Sequence, residues 1–231
     1  MYNLGVAGET SNEIALRQGG IKMYADNTFE VGYDDSVEIS IIDEYGNPVY
    51  MADFSAYGYV EPHESDVVYI NDDMFKITGT EETGLYICRY SEEEDVYDAF
   101  TTVYEGTQIV TKAAHERKND ILILEIGSNG GWENYRQLIS QYDAMIQNAG
   151  CDYFIIVGDT DDPGTSIADT AQGFRNDDGT YVGVGDTAWE ATLREAYGEH
   201  FINMRTYLIE NGLSDVGLRA TKADYLSLIH I

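Results

Sequence analysis

Hydrophobic and polar positions follow two different rules along this 231-residue chain. Between residues 21 and 112 apolar and polar side chains alternate in short runs. Examples are Val37-Glu38-Ile39-Ser40-Ile41, Val67-Val68-Tyr69-Ile70, Leu85-Tyr86-Ile87-Cys88 and Phe100-Thr101-Thr102-Val103-Tyr104. Turn residues separate them, as at Tyr45-Gly46-Asn47-Pro48 and Thr78-Gly79-Thr80. Period-two runs with regular punctuation predict an antiparallel sandwich or barrel.

From about residue 119 the grammar changes. Ile121-Leu122-Ile123-Leu124-Glu125-Ile126 is a near-continuous apolar run, the pattern of a parallel strand buried on both faces. It ends in Gly127-Ser128-Asn129-Gly130-Gly131. Tyr135, Leu138, Ile139, Tyr142, Met145 and Ile146 then recur at helical spacing, and Gly150 closes that helix. Tyr153-Phe154-Ile155-Ile156-Val157 predicts the next strand, followed by a Gly/Asp-rich loop over 159–185. A helix over 187–197, a short strand Phe201-Ile202-Asn203 and a helix over 205–211, stopped by Gly212, complete the series. Strand and helix in alternation with short loops predict an α/β parallel sheet flanked by helices.

At the start of the chain, residues 1–6 read as the end of a buried strand entering a Gly-rich turn. Thr10 and Glu13 have capping-box spacing, so a short helix is expected from Ser11 to Arg17, ended by Gly19-Gly20. The resulting division is 1–20, an inserted antiparallel β-module over 21–112, a continuation over 113–225, and 226–231. The last six residues, Leu226-Ser227-Leu228-Ile229-His230-Ile231, read as a non-native tail translated from sequencing-adapter DNA.

Charge narrows the partners. The chain has 42 Asp and Glu against 13 Lys and Arg, a net charge of −29. Residues 21–112 carry 21 acids and 4 bases, which marks them as a separate module. Phosphate contacts need clusters of Lys and Arg, so nucleic acid is excluded as a partner, and anionic lipid is disfavoured. No run approaches the roughly 18 apolar residues of a membrane-spanning helix. The acidity and the scarcity of lysine fit secretion. Cys88 and Cys151 form no Cys-x-x-Cys; they read as small buried hydrophobes, and pairing would need their Cα atoms within about 7 Å. No zinc site can be written from them and four scattered His, and no cofactor is implied.

Two Gly-rich corners carry the candidate chemistry: Asn3-Leu4-Gly5-Val6-Ala7-Gly8-Glu9-Thr10 and Gly127-Ser128-Asn129. Gly8 offers a backbone N–H before a helix, and Asn129 offers a side-chain amide. Two such donors suit an oxyanion hole for acyl transfer, and a tight turn and a helix cap are their structural alternatives. Trp132 and Tyr135 follow Asn129 and either line a substrate pocket or simply pack the start of a helix.

Asn-x-Gly-x-x-Gly-Glu-Thr resembles the second conserved block of the SGNH (GDSL-type) hydrolases, and strand-Gly-x-Asn resembles their third. Phe201-Ile202-Asn203-Met204-Arg205-x-Tyr207-Leu208, Gly212-Leu213-x-Asp215 and Thr221-x-x-Asp224 resemble a bacterial subgroup with a β-module inserted after the second block, beginning at Arg17-Gln18-Gly19-Gly20. The resemblance runs to Tyr225. It implies a three-layer flavodoxin-like parallel sheet, incomplete here, with an inserted antiparallel β domain. It also implies a serine esterase acting on small-molecule or glycan esters, with Gly8 and Asn129 as oxyanion donors. The family's nucleophile lies in Gly-Asp-Ser and its base in Asp-x-x-His, and neither motif occurs in this sequence. The expectation is therefore a fragment cut at both ends and inactive by itself.

Gly158-Asp159-Thr160 and Gly185-Asp186-Thr187 mimic the nucleophile block but follow the third block, the wrong order. Asp159-Thr160-Asp161-Asp162-Pro163-Gly164 hints at a calcium loop but lacks a downstream bidentate Glu. His115 reads as a surface residue. An alternative from another class is a non-catalytic carbohydrate- or cation-binding protein that uses the acidic β-module, for which 19 Tyr supply stacking surfaces. A flavodoxin-like phosphate binder is the third reading, with only the turn at residues 8–11 to support it.

Overall fold

The structure, a computed structural model, describes residues 4–5, 8–32, 35–50, 67–90, 100–159, 174–175, 181–182 and 186–219. The chain divides into two compact units: Met1–Asp120 with Ser140–Cys151, and Ile121–Ile139 with Asp152–Ile231.

The first unit begins with helix α1, Ser11–Arg17. Its capping box forms as expected: the Glu13 carboxylate accepts from the Thr10 backbone N–H and hydroxyl, each at 2.7 Å. Gly19, at φ +73, ends it, and a Cβ there would lie 2.5 Å from the Asn148 amide. Nine strands follow: β1 Met23–Ala25, β2 Phe29–Val31, β3 Ser36–Ile39, β4 Ile41–Asp43, β5 Val67–Ile70, β6 Asp73–Thr80, β7 Gly84–Arg89, β8 Thr101–Val103 and β9 Gln108–Thr111. Helix α2, Lys112–Glu116, is capped by Thr111, whose side chain accepts from the Ala114 N–H.

Seven of these strands form one antiparallel sheet in the order β3-β7-β6-β5-β9-β1-β4. Its two edge strands, β3 and β4, are separated in sequence by Ser40 alone. A sheet whose edges are one residue apart must roll up, so it is nearly closed. The turns explain the register. Asn71 and Asp72 have φ of +52 and +71, the two positive values of a type I′ hairpin, and join β5 to β6 with Ile70 opposite Asp73. Gly79 faces Gly84 so closely that a Cβ would lie 2.0 Å from the Gly84 carbonyl oxygen. Strands β2 and β8 form a separate two-stranded ribbon. Inward residues of both sheets make one core, including Met23, Val31, Ile70, Phe75, Ile87, Val103 and Ile109.

In the second unit β10 Leu122–Leu124, β11 Phe154–Val157 and β14 Phe201–Ile202 form a parallel sheet in the order β10-β11-β14. Strands β12 Phe174–Arg175 and β13 Tyr181–Val182 pair antiparallel. Helix α3, Tyr135–Ala149, contributes its first turn to this unit and the remainder to the first, and ends at Gly150 with φ +67. Helix α4, Ala188–Tyr197, buries Trp189, Leu193 and Tyr197 along one face.

The flavodoxin-like expectation is corrected. Among the described residues the sheet structure is mostly antiparallel, and the parallel part is three strands of three, four and two residues. The seven-stranded sheet, with the β2–β8 ribbon, holds the main hydrophobic cluster. The run at 121–126, read as buried on both faces, is buried on one. Leu124, Ile156 and Phe201 lie in one row and are buried, whereas Ile121 is 65% and Ile123 52% exposed. An apolar run records what a strand can bury, not whether a second layer exists to cover it. Residues 1–3 and 6, read as part of a strand, lie outside the described residues, and Leu4 and Gly5 are not in a strand. The helix expected to stop at Gly212 continues through it. A turn over Met204–Tyr207 widens across Leu208–Gly212 and ends at Asp215, with Gly212 at φ −54. Residues 226–231 also lie outside the described residues.

Candidate functional site

The carboxyl ends of the three parallel strands gather the polar residues of the second unit, where open parallel sheets bind their ligands. After β10 the chain turns through Gly127, at φ +116, and Gly130, at φ +80. The Gly130 N–H donates to the Gly127 carbonyl at 3.2 Å, and the Trp132 indole N–H donates to the same oxygen at 2.9 Å. Gly127 is buried, and a Cβ there would touch Leu138, Trp132 and Trp189 at 3.4–3.5 Å. These are ordinary contacts, so the turn needs glycine for its conformation. It carries Asn129 exposed at its tip.

Trp132 and Tyr135 stack, with centroids 5.5 Å apart and planes at 28°. Both are half-buried. Because the Trp132 N–H is committed to the Gly127 carbonyl, what Trp132 can offer a ligand is ring surface.

Two carboxylates come together here that the sequence reading did not single out as a pair. Glu125 follows β10 and Asp159 follows β11. Desolvation and the neighbouring Asp159 charge raise the Glu125 carboxyl above its ordinary range, against a hydrogen bond from Ser128 that lowers it. The available signal was a lone acid ending an apolar strand, beside a Gly-Asp ending the next.

At the third strand end, Asp186 accepts from Arg194 Nε at 2.6 Å and Nη2 at 3.0 Å, and from the Asn203 amide at 3.0 Å. The Arg194 hydrogen bond outweighs desolvation and, with the Arg194 charge and the Asn203 bond, holds the Asp186 carboxyl below the ordinary 3.8. A carboxyl held low stabilises the fold above its unfolded pKa, and that contribution is lost as pH falls through its folded value. Asp186→Asn is expected to lower the melting temperature at neutral pH. The gap from the parent should close as pH drops below 3.8. A gap independent of pH in thermal melts would contradict this. The neighbouring Thr187 is the N-cap of α4, its side chain accepting from the Glu190 N–H, so it serves the helix and not nucleophilic chemistry.

Gly8 belongs to the first unit and Asn129 to the second. Gly8 is exposed at φ +85, with open space where a Cβ would point, two residues before the α1 cap. The adjoining Glu9 is buried and ion-paired with buried Arg17, which anchors this corner.

The remaining candidates sort by position. His115 is exposed and stacks on Tyr69 at 4.0 Å, and His200 is exposed and stacks on Phe154 at 4.1 Å. His63, Thr160, Gly185 and the calcium-like residues 161–164 lie outside the described residues. Cys88 and Cys151 are not joined in a disulfide and are half-buried rather than buried. Among the described residues, no group of three or more His, Cys, Asp or Glu could hold a metal ion. Nor, among them, is any helix long and apolar enough to cross a membrane. Compared with known proteins, the chain matches no family model, no curated protein and no solved structure.

Proposed function

We propose that this chain supplies oxyanion-stabilising residues to a serine-type ester hydrolase resembling the SGNH family, acting on small-molecule or glycan esters. The observation that carries the reading is Asn129: a side-chain amide exposed on a glycine-built turn just past the carboxyl end of β10. The motif resemblance gives a second donor's role to Gly8, whose backbone is exposed before a capped helix. The proposal stands on these donors and their motifs, not on the flavodoxin-like sheet, which the chain does not form.

In this reading a serine hydroxyl attacks the ester carbonyl, an imidazole takes its proton, and the carbonyl oxygen becomes an oxyanion. Asn129 donates to that oxygen through its amide. The sequence holds no Gly-Asp-Ser and no Asp-x-x-His. The 231-residue polypeptide is therefore expected to leave p-nitrophenyl acetate at its uncatalysed rate.

The test is a long read across the source DNA, followed by expression of the full reading frame. The expected result is Gly-Asp-Ser in frame before residue 1 and Asp-x-x-His following residue 225. In the protein so encoded, Asn129→Ala should reduce kcat by about 10²–10³, the usual effect of losing one oxyanion donor. A frame lacking both motifs, or an Asn129→Ala variant with unchanged kcat, would overturn the proposal.

A further inference from the structure

We propose that the outer face of the β2–β8 ribbon is a binding face for a neutral polysaccharide. The ribbon pairs Phe29 with Val103, Glu30 with Thr102 and Val31 with Thr101. Phe29, Val31 and Val103 point inward and are buried. Strand alternation then turns Glu30 and Thr102 outward, together with the residues that flank β8, Phe100 and Tyr104. Phe100 is 74% and Tyr104 67% exposed. Phe100 and Tyr104 are four positions apart, one at each end of the three-residue strand, and an extended rise of about 3.3 Å per residue puts them roughly 13 Å apart.

This is not an apolar patch waiting for an apolar partner. Glu30 is paired with Thr102, the strand position between the two rings, and its carboxylate accepts from the Thr102 hydroxyl at 3.4 Å. A second carboxylate, Asp35, and the Phe100 ring both close on Gly32. Asp35 accepts from the Gly32 backbone N–H at 3.2 Å, and a Cβ on Gly32 would lie 2.4 Å from the Asp35 oxygen and 3.0 Å from Phe100 Cε1. Glycine at this position lets the ring and the carboxylate share one place on the backbone. Ring, carboxylate, ring is thus a built arrangement.

The occupant follows from the chemistry. A hydrophobic protein surface would desolvate the Glu30 and Asp35 charges and offer them no countercharge or further donor, which is strongly unfavourable. Residues 21–112, with 21 acids and 4 bases, repel nucleic acids and anionic glycans. A neutral sugar chain meets both demands: its C–H faces stack on Phe100 and Tyr104, and its hydroxyls donate to Glu30 and Asp35. This inference is independent of the ester-hydrolase reading and uses none of its residues.

The experiment is native affinity electrophoresis of the 231-residue chain. The gels contain barley β-glucan, xyloglucan, galactomannan or arabinoxylan, with polygalacturonate and chitosan as charged comparisons. At least one neutral polysaccharide should retard the protein, and polygalacturonate should not. Phe100→Ala and Tyr104→Ala should each weaken the retarding interaction about tenfold, as loss of one stacked ring implies. Their circular dichroism and melting temperature should match the parent, because both rings are exposed. Tyr45→Ala, 76% exposed on a different turn, should bind as the parent does. The proposal is overturned if no neutral polysaccharide retards the protein, or if both ring variants are retarded like the parent. It is equally overturned if chitosan alone binds and salt abolishes that binding, or if sedimentation shows self-association that Phe100→Ala abolishes, which would make the face a contact between copies.

Discussion

Arg205→Ala is expected to destabilise the second unit by about 3–5 kcal/mol, the effect of stranding one partner of a buried ion pair. Arg205 and Glu190 are only 4% and 2% exposed. The guanidinium donates through Nε and Nη2 to the two Glu190 oxygens, a bidentate pair. Glu190 also accepts from the Thr187 backbone N–H at 2.8 Å, which closes the α4 cap. Removing Arg205 leaves a desolvated carboxylate with that backbone donor alone. The double variant Glu190→Leu with Arg205→Met should recover most of the loss, because it removes both charges and keeps the volume. Urea unfolding followed by tryptophan fluorescence reads this directly, since the chain's two tryptophans, Trp132 and Trp189, both lie in the second unit. A loss in Arg205→Ala below about 1 kcal/mol, the range of a surface pair, would show that the pair is not buried in solution.

Phe75→Ala should cost a comparable amount, about 3–5 kcal/mol, in the first unit. Phe75 is fully buried, in the middle rows of the seven-stranded sheet, between Val68 of β5 and Arg89 of β7. The Arg89 guanidinium carbon lies 5.7 Å from the ring centroid, so the ring also supports that half-buried cation. A nearly closed sheet has little freedom to collapse around the vacated volume, which keeps the cavity term large. Phe75→Leu should lose less than half as much. Far-ultraviolet circular dichroism during urea unfolding measures both, and equal stability of Phe75→Ala and the parent would mean that the ring does not fill the core.

What was legible in the sequence was local. The limits of α1 followed from Thr10, Glu13 and Gly19, each acting within one turn of the helix. Helix α3 and its end at Gly150 followed from apolar spacing and one left-handed residue. Strand β5 follows from an apolar run bounded by the turn formers Asn71 and Asp72. Asn129 was found by the same reasoning, because a glycine-flanked residue after a strand is exposed whatever surrounds the strand. Glycine 212 misled for the converse reason: a glycine lowers helix propensity but does not forbid a helix whose neighbours hold it.

The sequence by itself determined the cap of α1, the turn at residues 45–48, the acidic character of 21–112 and the absence of Gly-Asp-Ser and Asp-x-x-His; the turn it placed at Thr78-Gly79-Thr80 lies inside β6 instead. Only the tertiary structure decided which sheet dominates. The edges β3 and β4 meet because a single residue separates them, and no period-two pattern reports strand order. It also decided that the 121–126 run is covered on one face, that Glu125 stands beside Asp159, and that Glu190 finds Arg205 fifteen positions away. Local chemistry acts over one turn of chain and is written in adjacent residues. Burial, pairing and the neighbours of a carboxylate depend on contacts between distant segments, which exist only once the chain has packed.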